Sequence, residues 1–223
     1  EALARITIAE DLAEIKEADL VIEVVPEDLD LKLKVMSEIE KIVPESTIIA
    51  SNTSSIPIAE LAGSLEHPER VCGLHFFAPV PVMKLVEVVV ALDSSEDTIN
   101  RARDFSERIG KRPIETKDRS GFVVNMLLVP YLMAGVRMYE EEFASPEDID
   151  EGMRLGCGHP MGPLELCDFI GLDVLYNVCD SLYEEFKRDE YAPPPILKRM
   201  VASGRFGRKT GRGFYTYENG ARA

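Results

Sequence analysis

Three histidines stand in the chain, His67, His75 and His159. His67 and His159 each precede a proline, which biases a residue toward extended or turn backbone, so both read as loop residues. His75 differs, because it ends an apolar run in Gly73-Leu-His-Phe-Phe-Ala-Pro79. In open α/β sheets the carboxyl ends of the strands are where ligands bind. Glu87 follows twelve residues later, inside the apolar run Leu85 to Val90. A carboxylate there is costly unless it is paired. Beside an imidazole, such a carboxylate holds the tautomer and raises the basicity that a general base requires. The same two residues could instead form a purely structural pair, and spacing alone leaves both readings open. Ser51-Asn-Thr-Ser-Ser55 follows another apolar run, so its hydroxyls either reach the same sheet edge or simply cap a helix. Glu23 and Glu27, within and just after a third run, either meet ribose hydroxyls or are solvated.

These residues need a sheet to bring them together, and the first half of the chain is patterned for one. Arg5 to Ile8, Asp19 to Val25, Thr47 to Ala50, Val71 to Phe77, Leu85 to Val90 and Arg112 to Glu115 read as strands. Helical patterns lie between them at Glu10 to Ala18, Asp28 to Val43 and the short Ile58 to Ala62. Another presents Ile99, Ala102, Phe105 and Ile109, with Ser94 and Asp97 as its cap. Strands alternating with helices predict an α/β domain with a parallel or mostly parallel sheet. After Lys117 the pattern turns helical: a long stretch from Phe122 to Phe143 broken at Pro130, then Pro146 to Leu155, Leu164 to Lys187 and Ile196 to Ser203. A last strand is expected at Phe214 to Tyr217. The expected domains are therefore 1–117, α/β, and 118–223, all-helical.

Composition narrows the function classes. The 223 residues carry 25 Lys and Arg against 40 Asp and Glu, a net charge of −15. That sum argues against a nucleic-acid partner and against docking on an anionic membrane. No apolar run reaches the ~18 residues of a spanning helix. Cys72, Cys157, Cys167 and Cys179 form no C-x-x-C pair, so they read as reduced thiols of a cytoplasmic protein, with no metal expected. Gly156-Cys-Gly-His-Pro-Met-Gly162 is not a dinucleotide loop: its third glycine is one place late and no strand precedes it. Gly204 to Gly211 fails as a phosphate loop, because Arg208 stands where a glycine must precede the lysine.

Six motifs in order resemble the L-3-hydroxyacyl-CoA dehydrogenase family, from about Arg5 to Tyr217. They are Asp19-Leu-Val-Ile-Glu-Val-Val-Pro-Glu27, Ala50-Ser-Asn-Thr-Ser-Ser55, His75-Phe-Phe-Ala-Pro-Val-Pro-Val-Met-Lys-Leu-Val-Glu87, Asp118-Arg-Ser-Gly-Phe-Val-Val-Asn125, Pro160-Met-Gly-Pro-Leu-Glu165 and Lys209-Thr-Gly-Arg-Gly-Phe-Tyr215. The resemblance is nearest the short-chain, 3-hydroxybutyryl-CoA type. It implies oxidation of an L-3-hydroxyacyl-CoA to the 3-ketoacyl-CoA with hydride transfer to NAD, in fatty-acid β-oxidation or butanoate metabolism. It further implies His75 as general base and Glu87 as its orienting partner. Ser54 and Asn125 would be substrate contacts, Glu27 and Lys32 cofactor contacts, and the helical domain the seat of a homodimer.

Two departures carry expectations of their own. Ala78 stands where the family usually has asparagine, and a lost buried hydrogen bond is worth ~0.5–1.5 kcal/mol, enough to weaken activity. The family's opening strand, G-x-G-x-x-G loop and helix find no match. With Glu1 at the start, this makes the chain the later part of a longer enzyme with an incomplete Rossmann-type doubly wound sheet, lacking roughly 70 residues. On its own it would bind NAD poorly, since nothing replaces the loop's N–H donors and helix dipole. The alternative is a shortened, non-catalytic homologue that serves as a dimerisation or acyl-CoA-binding module.

Overall fold

Four apolar runs and one mostly polar segment pair side by side in chain order. The structure, a computed structural model, describes residues 3–223. Strands β1 (Leu20–Glu23), β2 (Ile48–Ser51), β3 (Val71–Phe76), β4 (Leu85–Val90) and β5 (Arg112–Lys117) form one sheet in the order β1-β2-β3-β4-β5. All neighbours run parallel except β3 and β4, which are antiparallel. Helices cover both faces, as the alternating pattern predicts. On one face α1 (Leu29–Glu40) and α2 (Ile58–Ala62) bury Met36, Ile39, Ile58 and Leu61 against Ile49, Val71 and Val89. On the other, α3 (Glu96–Arg108) buries Ile99 and Ala102 against Ile48, Ala50, Leu74, Val86 and Val88. Period-two alternation along the strands deals the residues to the two faces.

Residues 3–18 depart from expectation. Leu3–Arg5 and Leu12–Ile15 are single 3₁₀ turns, and residues 6–9 have no regular structure. Ile6 and Ile8 lie open to solvent, so nothing rewards a strand there. The cap of α3 is Ser95, whose hydroxyl accepts from Thr98 N, and not Ser94. Ser94 Oγ instead accepts from Ala91 N and donates to the Val71 carbonyl, tying the turn after β4 to β3.

The chain divides into two compact units, one through Phe122 and one from Val123 to Ala223. The second contains α4 (Val124–Glu140), α5 (Pro146–Cys157), α6 (Pro163–Ile170), α7 (Leu172–Phe186) and α8 (Pro195–Ala202), followed by the small ribbon β6 (Tyr217–Glu218) and β7 (Ala221–Arg222). Pro130 does not break α4 as expected. Val129, Leu132, Met133 and Val136 are buried around it, and that packing outweighs the lost backbone hydrogen bond. The expected single stretch 164–187 is two helices, divided at Gly171, whose φ of 104° few side chains tolerate. The expected strand at 214–217 shortens to Tyr217–Glu218, because Asp168 takes over the preceding backbone. Its carboxylate accepts from Phe214 N, Tyr215 N and Tyr217 Oη, and burial raises it above the usual carboxylate range. Among the described residues no helix is long and apolar enough to cross a membrane.

Candidate active site

The register of the one antiparallel pair makes the central contact. His75 on β3 lies directly opposite Glu87 on β4, and both side chains face the α1–α2 side. Nδ1 of His75 is 2.7 Å from Oε2 of Glu87. The imidazole is 6% exposed and the carboxylate 0%. A carboxylate only accepts hydrogen bonds, so it claims the Nδ1 proton and leaves Nε2 as the basic nitrogen. The rings of Phe77 and Phe122 flank the imidazole, with centroids 4.6 and 5.5 Å away.

A second ionic group lies at the carboxyl ends of β1 and β2. Lys32, from the first turns of α1, points its ammonium back over the sheet and is 1% exposed. It donates to Oε1 and Oε2 of Glu23 at 2.8 and 3.0 Å and to the Val25 carbonyl at 3.0 Å. Glu27 Oε2 is 3.3 Å from the same ammonium. Glu23 is further satisfied by the Ser51 hydroxyl at 2.6 Å and by Val25 N. Lys32 therefore reaches the surface only through Glu27, whose side chain is 38% exposed.

Glu27 organises the serine loop. Its Oε1 accepts from the Thr53 and Ser55 hydroxyls and from the backbone N–H groups of Ser54 and Ser55. Burial works against the charge, but the hydroxyls of Thr53 and Ser55, the nearby Lys32 and the Ser54 amide hold Glu27 below its usual carboxylate value. The loop's odd positions, Ser51, Thr53 and Ser55, all turn to the two glutamates. Asn52 does otherwise: its Oδ1 accepts from Phe76 N at 2.8 Å, latching the loop to the strand that carries His75. Ser54 is half-buried, and among the described residues its hydroxyl has no hydrogen-bond partner.

The segment after β5 closes the loop from behind. Helix α2 begins at Pro57 without a side-chain cap of its own. Asp118 supplies one, accepting from Ile58 N at 2.9 Å and Ala59 N at 2.7 Å. Ser120 Oγ donates to the Ser55 carbonyl at 2.9 Å. These bonds keep residues 118–122 with the first unit.

The structure thus brings His75, Glu87, Glu27, Lys32 and Ser54 to the carboxyl-end side of one sheet. Asn125 is half-buried in the first turn of α4, in the second unit. Ala78 is exposed in the loop beyond β3. His67 sits in a loop within 4 Å of Glu45 and Glu69, and His159 in the turn after α5, with Nδ1 3.1 Å from the Tyr131 hydroxyl. Sequence reasoning missed the Asn52 latch, the caps from Asp118 and Ser120, and the burial of Lys32. The signal for the last was present: Glu23 lies inside an apolar strand and needed a cation.

Comparison with known proteins finds one family across both halves of the chain. Residues 1–119 match the family description 3-hydroxyacyl-CoA dehydrogenase, NAD binding domain, and residues 121–217 match 3-hydroxyacyl-CoA dehydrogenase, C-terminal domain. The 3-hydroxybutyryl-CoA dehydrogenase of Mycobacterium tuberculosis is 48% identical over 97% of this chain and 76% of its own length. The mitochondrial hydroxyacyl-coenzyme A dehydrogenase of Homo sapiens is 45% identical over 97% of this chain and 69% of its own. The crystal structure of (S)-3-hydroxybutyryl-CoA dehydrogenase PaaH1 from Ralstonia eutropha superposes with a TM-score of 0.94 at 48% identity, covering 98% of this chain and 77% of that one.

Proposed function

The chain belongs to the 3-hydroxyacyl-CoA dehydrogenase family, and from that premise we infer that it oxidises an L-3-hydroxyacyl-CoA, with 3-hydroxybutyryl-CoA as its substrate, to the 3-ketoacyl-CoA. The observation that carries this reading is the buried His75–Glu87 pair at 2.7 Å, at the carboxyl end of a strand in a sheet of this family. His75 Nε2 accepts the proton of the 3-hydroxyl, and Glu87 stabilises the imidazolium that results. Bound NAD supplies the hydride acceptor for carbon 3. Glu27, ionised and partly exposed at the strand ends, suits ribose hydroxyls as hydrogen-bond acceptor, while Lys32 serves from behind by holding Glu27 in place. Ser54 offers its hydroxyl to the substrate, and Asn125 is the second residue that the family motif assigns to the substrate.

The protein acts as a homodimer through its helical unit. Many apolar residues of that unit pack into its own core, including Leu132, Met133, Leu164 and Leu172. Leu127, Phe143 and Leu155 remain more than two-thirds open, at 73%, 73% and 76%, and support a covered face. Sedimentation at several concentrations tests this, and a monomer throughout would overturn it. Four unpaired cysteines, three of them buried, suit a reducing cytoplasmic setting.

The activity is tested by following NADH consumption with acetoacetyl-CoA and with longer 3-ketoacyl-CoAs. Turnover that is fastest with the four-carbon substrate supports the reading. Turnover with none of them, under conditions where calorimetry shows NADH bound, removes the enzyme assignment, and a clear preference for long chains removes the short-chain substrate.

A further inference from the structure

Phe122 combines two properties that rarely coincide. It is 2% exposed, and its backbone is left-handed, with φ of 46°. A bulky residue in that region is strained and persists only where its surroundings over-determine it. The other non-glycine residues with positive φ among those described, Glu142, Lys187 and Asn219, are all exposed.

The surroundings of Phe122 do over-determine it. Gly121 precedes it at φ 80°, and Phe122 N donates to the Arg119 carbonyl at 2.9 Å. Asp118 N is bonded to the Val90 carbonyl at 3.1 Å, while the Asp118 carboxylate is fixed on Ile58 N and Ala59 N. Ser120 is fixed on the Ser55 carbonyl. A tight turn leaving β5 is thus pinned to β4, to α2 and to the serine loop, and its last residue delivers a phenyl ring to His75, centroid to centroid 5.5 Å and tilted 55°.

Core filling alone does not require this. An apolar side chain could occupy the same volume from ordinary backbone. Among the described residues the imidazole has one hydrogen bond, at Nδ1, and that bond alone restrains the plane of the ring only loosely. Rings packed against its flanks remove that freedom.

We propose that Phe122 is a positioning residue for His75, holding the plane of the imidazole so that Nε2 stays aimed at the reacting hydroxyl. The proposal rests on the reading of His75 as general base. Phe77 supports the ring as well, but from ordinary backbone on the same strand. The left-handed turn at 118–122 is the device that brings in a ring from elsewhere in the chain.

The test compares Phe122→Leu with His75→Ala and the parent, using acetoacetyl-CoA and NADH. Leucine keeps an apolar side chain of similar size but loses the flat face. Small misplacements of a reacting group cost up to about a hundredfold, so kcat of Phe122→Leu should fall about tenfold with both KM values within about twofold. The NMR signal of the His75 Nδ1 proton should be sharp in the parent and broaden in Phe122→Leu as the ring gains motion. Parental kcat, or a loss carried mainly by KM, overturns the proposal, because a general loosening of the loop acts on binding. Phe122→Met gives the same comparison should the leucine variant not fold. If His75→Ala retains turnover, the reading of His75 itself fails. If His75→Ala is inactive and Phe122→Leu is not impaired, only the role of Phe122 falls.

Discussion

Replacing Glu87 with glutamine separates charge from geometry at the centre of the site. The amide oxygen of glutamine still accepts from Nδ1 of His75, so the ring keeps its tautomer and direction. What disappears is the negative charge, 2.7 Å from Nδ1 and fully buried. That charge matters most when His75 has taken a proton and become cationic. With charge centres roughly 4 Å apart and an effective dielectric of about 20, the attraction is about 4 kcal/mol. At about 1.4 kcal/mol per tenfold, its full loss is close to a 10³-fold fall in rate. The other groups around Glu87 relax toward the new neutral side chain, so the expected fall in kcat is ~10²–10³ with KM little changed. His75→Ala should cost ~10²–10⁴, and adding Glu87→Gln to it should cost little more in kcat, because on this reading the carboxylate acts on the reaction through the imidazole. The assay is NADH oxidation at saturating acetoacetyl-CoA. Glu87→Gln within threefold of the parent would refute the reasoning and return the pair to a structural role.

Other consequences can be checked on the same protein. Lys32→Met strands the Glu23 carboxylate in the interior and should destabilise by about 3–5 kcal/mol in chemical denaturation, whereas Glu23→Gln with Lys32→Met should recover most of that; equal losses would mean that the pair is not coupled. Gly213→Ala would place a Cβ 1.9 Å from Asp168 Oδ1 and should cost at least about 3 kcal/mol or prevent folding. Gly152→Ala, inside α5 with open space around it, should instead stabilise by about 0.5–1 kcal/mol; a reversed order would contradict the packing described here. Because Glu27 is held below its ordinary 4.5, its contribution is complete above that pH and is lost as pH falls through its lower folded value. Hydrogen exchange corrected for intrinsic rate should therefore show the Ser54 and Ser55 amides opening only below pH 4.5, and Glu27→Gln should abolish that transition; opening between neutrality and pH 5 would be the wrong sign.

Much of the sheet was legible because buried parallel strands are written as short, nearly unbroken apolar runs, and the breaks between them are prolines, glycines and charges. The His75–Glu87 pair was legible for a related reason. A carboxylate within Leu85 to Val90 had to find a partner, and a short turn between two strands brings their inner residues opposite one another. Pro130 misled because a local rule was applied where tertiary packing decides, and α4 is held by the residues buried around that proline. Ser94 and Ser95 differ by one position, and only the path of the turn determines which hydroxyl meets an amide of the helix and which meets Val71. Lys32 was hidden by its helix, since a lysine among alternating charges normally marks a solvated face, and its long stem can fold back over a sheet edge only where acidic groups wait there.

The departure at Ala78 has a bounded effect for the same structural reason. The residues that hold the imidazole are Glu87 at Nδ1 and the rings of Phe77 and Phe122 on its flanks, and none of these depends on position 78. Ala78 lies three residues beyond His75, exposed, in the loop that leaves β3. An asparagine there would add a polar side chain at an exposed position. On the proposed reading of His75 and Glu87, the contact that holds the imidazole at Nδ1 is therefore present whatever stands at position 78. The tenfold or so that one neutral hydrogen bond is worth sets the ceiling on the effect of Ala78.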